Sequence, residues 1–114
     1  MITLYGIKNC DTMKKARAWL DEAGVAYQFH DYKKDGLSPE LLDQWLQNPG
    51  WDALLNRRGT TWRKVPEDVR DNINEASARQ LMLDNPSIIK RPLLDLGERK
   101  VLGFNADEYS SLFR

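Results

Sequence analysis

The chain has 114 residues, a length that suits one domain with a single core, and its 17 Lys+Arg balance 17 Asp+Glu. Zero net charge excludes an overall field that would hold the protein on nucleic acid or an anionic membrane. One Cys cannot form an internal disulfide, and one Cys with one His cannot form a structural zinc site, so no metal is expected. The apolar runs are too short for a membrane span, and the first residues lack a secretory signal, so we expect a cytoplasmic protein. We also expect a monomer.

The first part of the chain predicts a strand, a helix and a second strand. Residues 2–5 are β-prone, and Gly6 ends the run. Apolar residues at helical spacing predict a helix over residues 10–23, followed by Gly24. Alternation over residues 25–32 suits a second strand, which a βαβ unit places parallel to the first.

The middle of the chain, about residues 37–85, predicts a helical insertion. Ser38 is a good cap for a helix that has Pro39 at its first position and runs to about Gln47. Asn48-Pro49-Gly50 ends it. Further helical segments separated by a polar loop are predicted at residues 51–55, 66–73 and 75–83.

The last part of the chain predicts two antiparallel strands and a helix. Residues 88–94 lead into a third strand, and residues 96–101 form a turn and a return strand. Asn105 then caps a helix that runs through Phe113. The order predicts an α/β fold in one domain of residues 1–114, with a thioredoxin-like four-stranded mixed sheet and an inserted helical subdomain.

Cys10 stands between the first strand and the first helix. Unpaired backbone N–H groups and the positive end of the helix dipole favour a thiolate there. Lys8, Lys14 and Lys15 would strengthen that field. The alternative is a small core cysteine beside a solvated lysine face. The position of Cys10 in a turn between polar residues favours the reactive thiol over the core cysteine.

The residues after Cys10 decide which thiol chemistry is open to it. Dithiol enzymes place a resolving cysteine at the position held here by Met13. A phosphatase-type anion loop would need arginine at position 16, where the chain has Ala16, with Arg17 one place late. Cys10 therefore has to act as a monothiol that depends on a thiol from another molecule, and glutathione is the obvious cytoplasmic donor.

Two segments offer groups that would hold a substrate beside a thiol. Proline at position 92 removes a ladder donor at the start of the third strand, which leaves the preceding backbone to pair with a peptide, although ordinary edge prolines are more common. Residues 57–64 contain four cations, two hydroxyls and an aromatic ring. They either grip a carboxylate or oxyanion or form solvated surface. His30, on the more polar face of the second strand, is expected to face solvent rather than Cys10.

Three segments resemble the arsenate-reductase/Spx (ArsC-like) family in order and spacing. They are YGIKNCDTMKKA at residues 5–16, LLNRRGTTWRK at residues 54–64 and IIKRPLL at residues 88–94. The resemblance covers essentially the whole chain. It implies a thioredoxin-like sheet with an inserted helical bundle, a cis Pro92 and Cys10 as nucleophile. Arg91 falls on an arginine that the family's arsenate reductases use for the oxyanion.

Three positions depart from those relatives. Spx-type regulators carry a second cysteine where this chain has Met13, so a Cys–Cys switch like theirs is excluded. The glutathione-dependent arsenate reductases place arginines at positions that align with Asn56 and near Gly103. Arg57 or Arg58 would substitute for the first, and nothing substitutes for the second, so the resemblance predicts a weak oxyanion site.

The resemblance and the monothiol chemistry together predict a glutathione-dependent thiol-disulfide oxidoreductase, with Cys10 as nucleophile and glutathione as co-substrate. The residues expected to hold glutathione or the substrate are Asn9, Thr12, Lys14, Arg57, Arg58, Arg91 and Pro92. The expected partners are glutathione and a thiol, disulfide or oxidised substrate, with no direct nucleic-acid contact. The alternatives are an arsenate reductase with a weak oxyanion site and an Spx-like regulatory protein that docks on a partner such as RNA polymerase.

Overall fold

The computed structural model of the chain describes residues 2–113, in which four strands form one sheet. The strands are β1 (Thr3–Gly6), β2 (Gln28–Asp31), β3 (Leu93–Asp95) and β4 (Lys100–Leu102). Their order is β2-β1-β3-β4, with β1 parallel to β2 and the other two pairs antiparallel. The predicted four-stranded mixed sheet is confirmed.

Eight helices accompany these strands in the described part of the chain. They are α1 (Asp11–Glu22), α2 (Tyr32–Asp35), α3 (Pro39–Trp45), α4 (Trp51–Leu54), α5 (Thr60–Arg63), α6 (Glu67–Asp71), α7 (Glu75–Asp84) and α8 (Ala106–Phe113). A 3₁₀ turn, Pro86–Ile88, follows α7. None of the helices within residues 2–113 is long and apolar enough to cross a membrane.

The chain divides into two compact units. The first comprises the chain up to Asp35 together with the chain from Arg91 onward, and it contains the whole sheet. The second, Gly36–Lys90, is helical. The predicted single domain, with its insertion at residues 37–85, stays a prediction.

The core of the first unit lies between one face of the sheet and helices α1 and α8. Its buried members are Leu4, Met13, Ala16, Leu20, Leu94, Val101 and Tyr109. The α1 members recur at helical spacing, as the sequence predicted. Tyr109 meets Trp19 and Phe104 edge to face, with ring centroids 5.6 and 4.8 Å apart. Because Cys10 packs partly against this core, the core fixes the start of α1.

The second unit contains buried Leu42, Trp45 and Met82, and helix caps and an exposed ion pair add to their packing. Ser38 Oγ accepts the Leu41 N–H at 3.1 Å, which is the predicted start of α3. Asn74 and Ser77 form a reciprocal capping box at α7. Arg79 on α7 donates to both carboxylate oxygens of Asp43 on α3, at 2.7 and 3.4 Å.

The predicted ends of the second strand and of helix α3 are wrong, because the chain turns earlier than the sequence pattern indicates. The second strand is shorter than residues 25–32, because the chain turns into α2 at Tyr32. The third strand begins at Leu93, directly after the predicted entry at Pro92. Residues 88–90 before it bond to the end of α4: Lys90 N–H donates to Leu54 O at 2.8 Å, and Leu55 bridges to Ile89. Helix α3 stops at Trp45, before an irregular turn over Leu46–Gly50.

Replacing Gly6 should destabilise the protein through Met13. An added Cβ at Gly6 would lie 2.3 Å from Sδ and 2.7 Å from Cε of Met13, whose side chain is fully buried. We expect Gly6→Ala to lower the free energy of unfolding by about 1–3 kcal/mol, measured by urea denaturation. In a Met13→Ala background, which lacks Cγ, Sδ and Cε, the further loss should shrink. An equal loss in both backgrounds would contradict the packing explanation.

Candidate active site

Three segments meet at one end of the sheet because of the strand directions. In the register, Gly6 at the end of β1 lies beside Asp31, and Tyr5 lies beside Leu93. Parallel β2 therefore ends where β1 ends, and antiparallel β3 begins there. The turn that leads to Cys10, the chain after β2 and the chain before β3 consequently share this end.

Cys10 is the residue immediately before α1. Its backbone is extended, with φ −98° and ψ 130°, and its carbonyl accepts the Lys14 N–H at 3.0 Å. This is the geometry of a helix N-cap, where the next N–H groups have no partner inside the helix. The thiol is half-buried, so it is held in place and still accessible to a small reagent.

The surroundings of Cys10 lower the pKa of its thiol. Burial acts against this by raising the pKa. It is outweighed by the N–H of Met13, a side-chain hydrogen bond from Arg91, the N–H of Thr12 and the positive charge of Arg91. The sulfur makes no side-chain cap bond of ordinary geometry, yet these groups lie close enough to favour the thiolate.

Arg91 and Pro92 precede β3 at the same end of the sheet. Arg91 is half-buried, and the peptide bond between the two residues is cis. Pro92 is buried, and its carbonyl accepts the Gly103 N–H at 2.8 Å. The structure thus brings Cys10, Thr12 and Arg91 together, with Pro92 next in the chain.

The predicted effect of three lysines on the Cys10 pKa needs correction, whereas the predicted contact of Lys14 with glutathione stays a prediction. The sequence attributed part of the activation of Cys10 to Lys8, Lys14 and Lys15, but all three are exposed and none is among the groups that shift the Cys10 pKa. Solvent screens exposed charges, whereas Arg91 is half-buried and bonds to the thiol. Asn9 is likewise exposed, and its predicted contact with glutathione stays a prediction.

Arg57 and Arg58 lie in the second unit, each with a partner inside it. Arg57 forms a salt bridge with Asp52, with Nη2 2.6 Å from Oδ1, and its guanidinium lies 5.9 Å from the ring centroid of Trp62. The N–H of Arg58 donates to Asn56 Oδ1 at 3.1 Å. Their roles toward glutathione stay predictions.

Asn56 and Gly103, where the family resemblance predicts arginine in arsenate reductases, have local roles here. The Asn56 side chain shapes the turn that carries Arg58, and an added Cβ at Gly59 would lie 3.0 Å from its Nδ2. Gly103 has φ +77°, a conformation that other residues rarely adopt, so an arginine there would strain the backbone.

His30 is not the solvent-facing residue that the sequence predicted. It is half-buried, with its ring centroid 4.9 Å from Tyr5 and 6.1 Å from Tyr32. Tyr5 pairs with His30 across β1 and β2, so their side chains share one face of the sheet.

Sequence reasoning missed Tyr32 as a neighbour of the site. Burial first, and then Tyr5, raise the pKa of Tyr32 far above its usual range, while the charge of Arg91 opposes them. Tyr32 is therefore a neutral phenol in the electrostatic environment of Arg91. The alternating pattern concealed this, because it assigned Tyr32 to a strand face.

Residues 2–113 contain no group of three or more His, Cys, Asp or Glu arranged to hold a metal ion. The chemistry available at this end of the sheet is that of a single thiolate beside a guanidinium.

Comparison with known proteins identifies the family of this chain. The family model described as "ArsC family" matches residues 5–112. A solved structure called YffB is 53% identical, covers 100% of both chains and superposes with a TM-score of 0.94. An arsenate reductase (ArsC) related protein from Brucella melitensis is 56% identical over 99% of this chain and 94% of its own, with a TM-score of 0.83. The global transcriptional regulator Spx of Streptococcus agalactiae is 34% identical over 110 residues, 95% of this chain and 80% of that protein.

The mixed sheet and the cysteine at the start of its first helix define a thioredoxin-like α/β protein with a thiol oxidoreductase-like fold. The chain belongs to the ArsC family, so the family predicted from the three segments is confirmed.

The contribution of Arg91 can be measured directly. The rate of Cys10 alkylation by neutral iodoacetamide follows the thiolate fraction, so the wild-type curve should have its midpoint below the free-cysteine pKa of about 8.5. Arg91→Met removes a charge and a donor that favour the thiolate, so its midpoint should move to higher pH. Arg99→Met, which removes an exposed cation in the β3–β4 turn, is the control. Identical curves for all three proteins would refute the role of Arg91.

Proposed function

We propose that this protein is a glutathione-dependent thiol-disulfide oxidoreductase that acts through Cys10 alone. The observation that carries the proposal is the set of donors around the sulfur: the Met13 and Thr12 N–H groups and the Arg91 guanidinium all favour the thiolate. A cysteine kept only for packing would gain nothing from a lowered pKa, so the activated thiol favours a reductase over a purely regulatory binding protein.

The reaction proceeds by two thiol–disulfide exchanges. The Cys10 thiolate attacks the glutathione sulfur of a mixed disulfide, so that a bond forms between the two sulfurs and the substrate leaves as a thiolate, which takes a proton from solvent. The thiolate of a second glutathione then attacks the glutathione sulfur bound to Cys10. This step releases oxidised glutathione and restores the Cys10 thiolate. One mixed disulfide and one glutathione thus give one substrate thiol and one oxidised glutathione.

Pro92, Arg91 and Thr12 are the proposed supports of glutathione next to Cys10. The chain before β3 lies at the same sheet end as Cys10, so it is placed to run alongside a peptide bonded to that sulfur. The charge that favours the Cys10 thiolate also favours the thiolate that leaves when the adduct is resolved. A cytoplasmic location, expected from the sequence, would supply glutathione as the reductant.

Arsenate is the less suitable substrate. A tetrahedral oxyanion needs several convergent charged donors, and the chain has Asn56 and Gly103 where arsenate-reducing relatives are expected to carry arginine. Because an arginine at position 103 would strain the backbone, we expect Gly103→Arg to restore little arsenate binding.

Turnover with two substrates tests this ranking. We expect glutathione-dependent reduction of a small glutathione mixed disulfide to exceed arsenate reduction by at least about a hundredfold, since each missing oxyanion donor is worth a factor of about 10²–10³. Cys10→Ser should reduce both rates to the uncatalysed level. The proposal fails if Cys10→Ser retains wild-type turnover, and the substrate ranking is reversed if arsenate is preferred.

A second cysteine at position 13 should convert the monothiol into a dithiol. Residues three apart at a helix start are neighbours. Met13 is fully buried against Gly6, and cysteine is shorter than the methionine it would replace. We expect Met13→Cys to form an internal disulfide with Cys10 that releases bound glutathione, detected by mass after thiol labelling. Lys15→Cys, on another face of α1, is the control and should keep its glutathione adduct. A stable glutathione adduct on Met13→Cys would count against this geometry.

A further inference from the structure

A concave surface in the first unit has no role in the chemistry described so far. It has a volume of about 230 Å³ and is lined by Lys8, Arg17, Phe29, Asp31, Lys34 and Asp35. The turn before Cys10, helix α1, strand β2 and helix α2 all contribute to it. These six residues form the cationic cleft.

Arg17 is held in a fixed position in the cationic cleft. Its guanidinium carbon lies 4.4 Å from the centroid of the Phe29 ring, and its Nε donates to the Tyr27 hydroxyl at 3.4 Å. Stacking fixes the plane of the guanidinium, and the bond through Nε leaves the two terminal amino groups for a ligand. A guanidinium presented in this way is well suited to bind a planar carboxylate through paired hydrogen bonds.

The cleft contains three cationic and two anionic side chains, and its cations form no ion pair in the described part of the chain. Within residues 2–113, neither Arg17 nor Lys8 nor Lys34 has a carboxylate within salt-bridge distance.

The two carboxylates of the cleft serve the backbone instead. Asp31 Oδ1 accepts the Lys33 N–H at 3.0 Å, and Asp35 Oδ2 accepts the Asp31 N–H at 3.2 Å. They shape the turn into α2, and the formal net charge of the cleft, three cations against two carboxylates, is +1.

The cleft lies within reach of a peptide bonded to Cys10. Lys8 belongs to the turn that leads to Cys10, and Asp31 pairs with Gly6 at the sheet end where that turn begins. Arg17 follows Cys10 by seven positions on α1, which is about 10 Å along a helix axis. An extended tripeptide spans about the same length, at roughly 3.3–3.6 Å per residue.

We propose that the cationic cleft binds a terminal carboxylate of the peptide thiol that reacts at Cys10, and that Arg17 is a specificity-determining residue for it. The inference rests on the proposed function, because it takes glutathione as that peptide. Glutathione carries two terminal carboxylates, one on its glycyl and one on its γ-glutamyl residue.

Binding is tested first with S-methylglutathione, which cannot react with Cys10. We expect it to shift the backbone amide signals of Phe29 and Lys34 in the NMR spectrum, and Arg17→Gln to weaken its affinity about tenfold, the scale of one charge-assisted hydrogen bond. Arg17→Lys should recover part of the loss. Lys15→Gln, an exposed cation on the same helix but outside the cleft, should bind like wild type. Equal affinities for Arg17→Gln and Lys15→Gln would overturn the proposal.

Reaction rates give a second test that separates binding from thiol reactivity. Arg17→Gln should form the Cys10 mixed disulfide about tenfold more slowly with oxidised glutathione below saturation, and at the wild-type rate with bis(2-hydroxyethyl) disulfide, which has no carboxylate. The disulfides of glutathione glycinamide, whose glycyl carboxylate is an amide, and of cysteinylglycine each lack one of the two terminal carboxylates, so the one that loses its dependence on Arg17 identifies the end that occupies the cleft. An equal slowing with the neutral disulfide would overturn the proposal.

The two tests separate this proposal from the function on which it rests. If Cys10 reacts with oxidised glutathione at the same rate in wild type and Arg17→Gln, the cleft proposal fails and the proposed function stands. If S-methylglutathione binds in an Arg17-dependent manner while Cys10 forms no adduct, the proposed function fails and the carboxylate site stands.

Discussion

The site depends on the directions of three strands. Because β2 runs parallel to β1 and β3 runs antiparallel to it, the end of β1, the end of β2 and the start of β3 share one end of the sheet. That arrangement places Cys10 at the start of α1 within hydrogen-bonding range of Arg91, although the two residues are far apart in sequence. The electrostatics of the thiol follow from it, since burial alone would raise the Cys10 pKa and hence suppress reactivity at neutral pH.

Met13 packs behind Cys10, and the chain has no second cysteine. Met13 fills the space over Gly6 so closely that even a Cβ at Gly6 would clash with its thioether. The same side chain occupies the position, three residues after the nucleophile, where dithiol enzymes place a resolving cysteine. An adduct on Cys10 therefore has no internal thiol to displace it, and the resolving thiol has to come from another molecule. Core packing and reaction type are coupled through this one residue.

The sequence predicted most of the fold and only part of the site. Local signals were sufficient for α1, for the cap at Ser38 and for the β3–β4 turn, because spacing, capping and turn residues act over a few positions. The pairing of residues 88–90 with α4 was not predicted, since the bond from Lys90 to Leu54 is a tertiary contact without a local signature. Cys10 was identified from its place in the chain, and Arg91 from the family resemblance. The charge that acts on the thiol was wrongly assigned to lysines, because sequence spacing does not reveal burial.

The reaction of Cys10 with oxidised glutathione is the most direct measure of the central claim, that this single thiol is an activated nucleophile. Intact-mass analysis at neutral pH should show one glutathionyl group on the protein, absent from Cys10→Ser and removed by excess reduced glutathione. The rate should rise with pH to a plateau reached below the free-cysteine pKa of about 8.5. An unmodified protein, or a rate that still rises steeply above that pH, would contradict the account.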